Sequence, residues 1–264
     1  MRLLFLGDVV GKPGYSAVIA HAKSLKETHQ LDALVVNAEN ASDGAGLMPR
    51  QYRRLIDVGV DAITMGDHLY RRSEIIPILQ SSERIVRPAN YPSAASGRRW
   101  VVVPTPVGPL AVISLMGRVF MRPVDCPFDA VDEVLDELKS RHADPPKHIL
   151  VDVHAEATSD KQVLGRYLDG RVSAVLGTHT HVPTADACLL PGGTAFQCDV
   201  GMTGPYESII GRDIDRVTQT TRSFEPCHFH VATRDVRLCG ALVSIDDQGR
   251  ATSIKRFEQP VEPS

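Results

Sequence analysis

Leu3-Leu4-Phe5-Leu6-Gly7-Asp8, near the start of the chain, sets four apolar residues directly before a glycine and a carboxylate. A short continuous apolar run of this kind is typical of a strand that is buried on both faces of a sheet. Downstream, Tyr15, Val18, Ala22 and Leu25 recur at helical spacing and predict an amphipathic helix. A buried strand followed by such a helix indicates the α/β class.

The alternation of short apolar runs with helical patterns continues through the first two thirds of the chain. It predicts further strands at residues 34–36, 62–65, 100–103, 110–115, 149–153 and 172–176. After Pro183 strand-like segments follow one another without helices, at residues 185–190, 195–197, 229–232, 237–245 and 251–257. Residues 201–222 are polar and punctuated by glycine, and they are predicted as a loop or a short helix.

These patterns favour one domain over residues 1–259, followed by a tail at 260–264. The predicted fold is an α/β four-layer sandwich, in which two mixed β-sheets pack together and are flanked by helices. We expect the C-terminal third to add the second sheet. A TIM barrel fits poorly, because its strands alternate with helices throughout the fold.

Charge and composition exclude several classes of function. The formal net charge of −3 lacks the basic excess that sequence-independent binding of long nucleic acid requires. No apolar run approaches the roughly 18 residues of a membrane span, and the first apolar run is too short for a signal peptide. Five cysteines without a C-x-x-C pair argue against a disulfide framework or a structural zinc site. We therefore expect a cytoplasmic protein without membrane contact, and base rates favour a homo-oligomer.

Polar side chains follow five of the predicted strands at the point where each strand ends. They are Asp8, Glu39 and Asn40, Asp67 and His68, His154, and His179 with His181. Ligands bind at the carboxyl ends of the strands in α/β sheets, so we expect these side chains to converge at one sheet edge. Carboxylate, carboxamide and imidazole together suit iron, manganese or zinc, whereas magnesium and calcium prefer oxygen alone.

Each of these residues also has a purely structural interpretation. Asp8 alone is more often a turn former or a helix cap, and His154 alone is more often a buried histidine with a hydrogen-bond partner. The H-x-H pattern of His179 and His181 is a stronger signal, because both rings would point the same way from an extended segment. The conjunction favours a metal site, because five independent placements would otherwise have to coincide.

Two further patterns are weaker. Asp67 beside His68 is explained equally well as a hydrogen-bonded structural pair. His228 and His230 form a second H-x-H beside Cys227. No carboxylate cluster at a predicted strand end accompanies them, so we assign them to one face of a late strand.

Five stretches carry a recognisable order of motifs: GDVVG at 7–11, NAENA at 37–41, TMGDH at 64–68, GTHTH at 177–181 and DVGMTGP at 199–205. This order resembles that of the calcineurin-like metallophosphoesterases. The NAENA and GMTGP segments are more specific, and they resemble one bacterial branch, the 2′,3′-cyclic-nucleotide 2′-phosphodiesterase family. The resemblance spans most of the chain.

The resemblance implies a dinuclear centre in which two transition-metal ions, iron first and manganese second, share seven protein ligands. One ion would be held by Asp8, Asn40 and His181 and the other by Asp67, His154 and His179, with Glu39 bridging both. It also implies that hydroxide between the ions attacks phosphorus, with His68 as the general acid for the leaving group. The known chemistry of two-metal sites is consistent with this arrangement, because two cations about 4 Å apart can bind a phosphate between them and stabilise the attacking and leaving oxygens.

Position 67 departs from the family pattern, which has Asn where this sequence has Asp. Asp67 would join Asp8 and Glu39 to give the centre three carboxylates, a charge of 3− against the 4+ of two divalent ions. We expect Asp67 to bind its metal more strongly and to favour a more oxidised ion such as Fe(III). The added negative charge would also weaken the attraction for an anionic substrate.

The resulting hypothesis is a metal-dependent phosphoric diester hydrolase that acts on small cyclic nucleotides, with 2′,3′-cyclic AMP as the first substrate. Loops at 43–46 and 202–204 are expected to line its pocket, and no substrate-binding side chain is assigned. One alternative is a phosphomonoesterase or diesterase of broad specificity that uses the same metals. Another is a regulatory nucleotide-binding protein that retains the metal site.

Overall fold

The computed structural model describes residues 1–261, and this part of the chain contains fourteen strands and six α-helices. The strands are β1 (Arg2–Leu6), β2 (Asp8–Val9), β3 (Ala33–Asn37), β4 (Ala62–Thr64), β5 (Ile85–Val86), β6 (Trp100–Val103), β7 (Leu110–Met116), β8 (His148–His154), β9 (Ala174–Thr178), β10 (Cys188–Leu189), β11 (Ala195–Gln197), β12 (Met202–Pro205), β13 (Val236–Ile245) and β14 (Ala251–Pro260). The helices are α1 (Gly11–Thr28), α2 (Pro49–Asp57), α3 (Ile76–Ser81), α4 (Pro127–Arg141), α5 (Thr158–Tyr167) and α6 (Ile214–Ser223). Within the described residues no helix combines the length and apolar character needed to cross a membrane.

The strands form two mixed sheets. The first sheet has the order β2-β12-β13-β1-β3-β4-β5, and β14 pairs with β13. Its strands β1, β3, β4 and β5 run parallel, whereas β13 is antiparallel to β1. The second sheet has the order β10-β11-β9-β8-β7-β6, with four parallel central strands and an antiparallel strand at each edge.

Alternate side chains of β1 enter two different cores. Leu3 and Phe5 belong to a buried cluster that also contains residues of the second sheet, so this cluster lies between the sheets. Leu4 and Leu6 belong to another cluster, which includes Val18 of α1. Because successive side chains of a strand point to opposite faces, the first sheet is covered by the second sheet on one face and by helices on the other.

The second sheet shows the same division. Leu150 of β8 joins the core between the sheets, whereas Val151 and Val153, on the opposite face of the strand, pack with Leu135 of α4 and Leu164 of α5. The layers are therefore helix, sheet, sheet and helix. The prediction of an α/β four-layer sandwich is confirmed.

The expectation that the C-terminal third adds the second sheet is wrong. β13 and β14 extend the first sheet, whereas β10 and β11 join the second. β13 lies directly beside β1, with Gly240 opposite Leu6. A side chain at Gly240 would collide with the backbone of Phe5, so a glycine here permits the close approach of the two strands.

Four predicted segments of the C-terminal region differ wholly or in part from the structure. Residues 229–232 form no strand and contribute only an isolated bridge between Arg212 and Val231, and the segment 185–190 shortens to β10. Residues 201–222, predicted as a loop or a short helix, contain the exposed short helix α6, but they also contain the buried strand β12, which pairs with β2. The predicted tail at 260–264 starts inside β14, and residues 262–264 lie outside the described range.

The core between the sheets predicts a large cost for truncating Phe5, whose side chain is fully buried. Phe5→Ala should lower the free energy of unfolding by about 3–5 kcal/mol, because it removes apolar contacts and leaves a cavity. Urea unfolding followed by circular dichroism measures this change. Phe120→Ala is the matched control, since Phe120 is 89% exposed. A loss at Phe5 no larger than that at Phe120 would contradict the assignment of the core.

Candidate metal centre

The eight predicted site residues come from both sheets rather than from one sheet edge. Asp8 belongs to β2, Glu39 and Asn40 follow β3, Asp67 and His68 follow β4, His154 ends β8, and His179 and His181 follow β9. The first three strands are in the first sheet, and β8 and β9 are in the second. The prediction of a single edge is therefore wrong, because it treated strands consecutive in sequence as neighbours in space. The side chains nevertheless converge where the carboxyl ends of strands from the two sheets meet.

Four side chains form one half of this cluster. Glu39, Asp67, His154 and His179 each offer a ligand atom, and these atoms all lie within 4.8 Å of one another. Nε2 of His154 is 3.1 Å from Oδ1 of Asp67 and 3.2 Å from Oε1 of Glu39. Nδ1 of His179 is 3.0 Å from the same His154 nitrogen. Two carboxylates and two imidazoles that face a common point could hold one transition-metal ion.

Asp8, Asn40 and His181 form the other half. Nδ2 of Asn40 is 3.2 Å from Nε2 of His181 and 3.4 Å from Oδ1 of Asp8. The Asn40 nitrogen also donates to Oε1 of Glu39 at 3.2 Å, and the same carboxylate oxygen contacts His154 in the first half. Glu39 therefore lies between the two halves, as expected for a bridging group. All seven predicted ligands are brought together.

Hydrogen bonds outside the cluster orient two of the imidazoles. Nδ1 of His154 is 2.9 Å from the Thr178 hydroxyl, which donates to Asp152 at 2.7 Å. Nδ1 of His181 is 2.9 Å from the carbonyl oxygen of Ile210. When Nδ1 donates in each case, the lone pair of Nε2 faces the cluster, which is the tautomer a metal ligand needs.

Asp152 is a buried carboxylate that the sequence analysis did not assign. It is fully buried and accepts hydrogen bonds from Thr64 at 2.6 Å and from Asn37 at 3.0 Å, as well as from Thr178. Burial raises the pKa of Asp152 to about 6, against the opposing influence of His154 and the two hydroxyl donors. In the sequence, the one indication of a special role for Asp152 was that it is the single charged residue in the apolar run 149–153.

The backbone around the cluster is also specialised. His179 and His181 adopt φ values of 95° and 65°, so the H-x-H segment is kinked and the prediction of an extended segment is wrong. The kink sends the two rings to different halves of the cluster. Gly66 is required for a different reason, because a Cβ at this position would overlap the space occupied by His154 and Glu39.

Charge interactions dominate the protonation of the first half. Burial raises the pKa of Glu39, but the adjacent His154 outweighs it and holds this pKa below its usual value. Burial also opposes ionisation of Asp67, yet hydrogen bonds from His154 and His179 keep its pKa well below the usual range. Burial lowers the pKa of His154, and the surrounding carboxylates raise it well above 6.5. A cation that binds here therefore replaces a proton.

His68 lies beside both halves and remains partly exposed. Its Nδ1 is 2.6 Å from Oδ1 of Asn40, and its backbone N–H donates to Oε2 of Glu39 at 3.1 Å. Its Nε2 is 3.8 Å from a carboxylate oxygen of Asp67.

Glu156, which was not predicted as a site residue, has a carboxylate oxygen 3.2 Å from Nε2 of His179. Glu156 is exposed, and no pattern in the sequence indicated that it lies near the cluster.

Of the two predicted pocket loops, only residues 43–46 form a loop. Arg212 donates to the carbonyl oxygens of Asp43 at 3.0 Å and Gly44 at 2.7 Å, which ties this loop to the segment that contains Ile210. Residues 202–204 belong to the buried strand β12. The expectation of a loop at 202–204 is wrong.

Comparisons with known proteins find relatives that match almost the whole chain. A 2′,3′-cyclic-nucleotide 2′-phosphodiesterase of Bacillus subtilis (strain 168) is 44% identical over 258 residues, which cover 97% of this chain and 96% of the relative. A crystal structure of a hypothetical protein from Thermus thermophilus is 41% identical and covers 100% of both chains, with a TM-score of 0.91. The crystal structure of a novel phosphatase from Mycoplasma pneumoniae is 30% identical, with a TM-score of 0.90 over 98% of this chain and 93% of that chain.

The resemblance drawn from the motifs is thereby confirmed. The family model for YmdB-like proteins matches residues 4–257, which include every strand that contributes to the cluster. The chain belongs to the YmdB-like protein family.

Proposed function

We propose that this chain is a metal-dependent phosphodiesterase that hydrolyses cyclic nucleotides, with 2′,3′-cyclic AMP as the first substrate. The observation that carries the proposal is the convergence of seven potential ligands in two halves that share Glu39. The name of the Bacillus subtilis relative supports the choice of substrate. We further propose that the protein acts in the cytoplasm as a homo-oligomer, without stable binding of long nucleic acid or of membranes.

The donor set fits a pair of transition-metal ions, for which we propose iron first and manganese second. Asp8, Asn40 and His181 would hold one ion, Asp67, His154 and His179 would hold the other, and Glu39 would bridge them. When bound, such ions neutralise a phosphate and lower the pKa of water enough to supply hydroxide near neutral pH. Imidazole nitrogens in the set favour iron, manganese or zinc over magnesium.

His68 is placed to supply the proton that the leaving group needs. If Nδ1 donates to Oδ1 of Asn40, Nε2 is the atom that carries the transferable proton. This transfer starts from the ring with a proton on each nitrogen, and its Nε2 lies 3.8 Å from a carboxylate oxygen of Asp67. In the reaction a P–O bond forms to hydroxide as the bond to a ribose oxygen breaks, and the His68 proton passes to that oxygen.

We expect His68→Ala to keep its metal and to hydrolyse 2′,3′-cyclic AMP roughly 10²–10⁴-fold more slowly, because an alkoxide leaves poorly without a proton. The loss should be smaller for bis-p-nitrophenyl phosphate, since p-nitrophenolate leaves without protonation. Elemental analysis and steady-state kinetics on both substrates measure these effects. His21→Ala, on α1 and outside the cluster, is the control. Equal losses on both substrates would contradict the acid role.

Asp67 gives the centre a third carboxylate in place of the family Asn, and we propose that it favours a more oxidised ion. Asp67→Asn should shift metal preference from Fe(III) towards divalent ions and lower the KM for an anionic substrate, because one negative charge is removed. Metal competition experiments and kinetics on 2′,3′-cyclic AMP test both effects. Unchanged metal preference together with unchanged kinetics would reject this role of Asp67.

A phosphomonoesterase is the second candidate, since the Mycoplasma pneumoniae relative is described as a phosphatase. Hydrolysis of 2′,3′-cyclic nucleotides beside nucleoside monophosphates, with the same protein and metal, separates the two functions. We expect kcat/KM to be higher for the cyclic diesters. Higher values for the monoesters would favour the phosphatase instead.

A further inference from the structure

We propose that the buried ion pair of Lys161 and Asp199 is a positioning device for His179 and His181. It acts through Thr180, the residue between them, and it fixes how far apart the two halves of the cluster stand. The inference rests on the metal-binding function proposed above and adds residues that lie outside the cluster. None of the three touches a proposed metal ligand atom directly, so their role is to hold the loop.

Lys161 occupies an unusual place for a lysine. It lies in α5, its residue surface is 1% exposed, and its Nζ is 2.7 Å from Oδ2 of Asp199, which is equally buried. A charged pair withdrawn from water loses its hydration, so it is weak support for stability on its own. Further hydrogen bonds at the carboxylate compensate for that loss, and these bonds identify what the pair holds.

Asp199 binds the residue between the two histidines. Its Oδ2 accepts hydrogen bonds from the backbone N–H of Thr180 at 3.1 Å and from the Thr180 hydroxyl at 2.7 Å. Its Oδ1 accepts from the N–H of Gly201 at 2.8 Å. The carboxylate therefore holds Thr180 by two bonds and is itself held by the Lys161 ammonium and by Gly201.

The loop needs such a restraint because its backbone is strained. His179 and His181 both lie in the left-handed region, which residues other than glycine adopt only when their surroundings enforce it. His179 is additionally held through its N–H, which donates to Oδ2 of Asp8 at 2.9 Å. The bond to the Thr180 N–H fixes the peptide group between His179 and Thr180, and the bond to the hydroxyl fixes the Thr180 side chain. The strained loop therefore delivers one imidazole to each half of the cluster.

Lys161 also packs on the strand that leads into the loop. A Cβ at Gly177, two residues before His179, would lie 2.9 Å from Cδ of Lys161. The lysine stem therefore covers the end of β9, while the ammonium group reaches Asp199. One side chain restrains both the strand and the loop that follows it.

The test uses metal-free protein and a titration with Mn²⁺, with calorimetry for affinity and electron paramagnetic resonance for spin coupling between the ions. Thr180→Val removes the hydroxyl at nearly constant volume, and Asp199→Asn removes the charge. We expect both variants to bind Mn²⁺ roughly 10- to 100-fold more weakly, the usual cost of losing a group that orients metal ligands. Thr180→Ser, which keeps the hydroxyl, should bind like the wild type.

Lys26→Met is the matched control, because Lys26 forms a 2.8 Å ion pair with Asp61 away from the cluster. This variant should lose stability in urea without a change in Mn²⁺ affinity. Folded Thr180→Val protein with wild-type affinity would overturn the positioning role, even if Asp199→Asn fails to fold. A wild type that binds no Mn²⁺ would overturn both this inference and the proposed function, whereas binding by the wild type and all variants alike would overturn the inference alone.

Discussion

Repulsion between carboxylates is the constraint around which this molecule is organised. Asp8 and Glu39 are almost completely buried, and Asp67 lies in the same cluster. Buried anions of like sign destabilise a fold unless positive charge compensates them. Protonated His154 offers part of that charge, and a bound metal cation would offer more. The hydrogen bonds around the centre can then be understood as restraints that keep ligand atoms close despite their mutual repulsion.

The layers of the fold could be predicted because they are encoded locally. The apolar run of β1 and the helical spacing in α1 required no knowledge of partners, and the same holds for β3, β4, β7 and β8. Strand partners are decided by contacts that are distant in sequence. β13 therefore escaped prediction as a neighbour of β1, although its strand character was visible. β12 escaped entirely, because Met202-Thr203-Gly204-Pro205 carries the composition of a turn while its surroundings bury it.

The cluster was predictable for a related reason. Carboxylate and imidazole side chains that follow predicted strands identified Glu39 and His154 as candidate metal ligands from the sequence. Residues that position the cluster through hydrogen bonds, without belonging to it, show no comparable pattern in the sequence. Asp152 is recognisable only once its hydroxyl and amide donors are seen around it. The Lys161–Asp199 pair joins residues that are 38 positions apart, and its contact follows from tertiary packing alone.

The division of the ligands between two sheets has a consequence for the life of the protein in a cell. Metal ions bound between Asp8 of the first sheet and His154 of the second would link the two sheets. A ligand that binds only the native state raises the free energy of unfolding in proportion to the logarithm of its concentration. A shortage of transition metals would thus lower the free energy of unfolding, and the unfolded chain would be cleaved by proteases more often. The amount of intact protein would then follow the supply of the proposed metal.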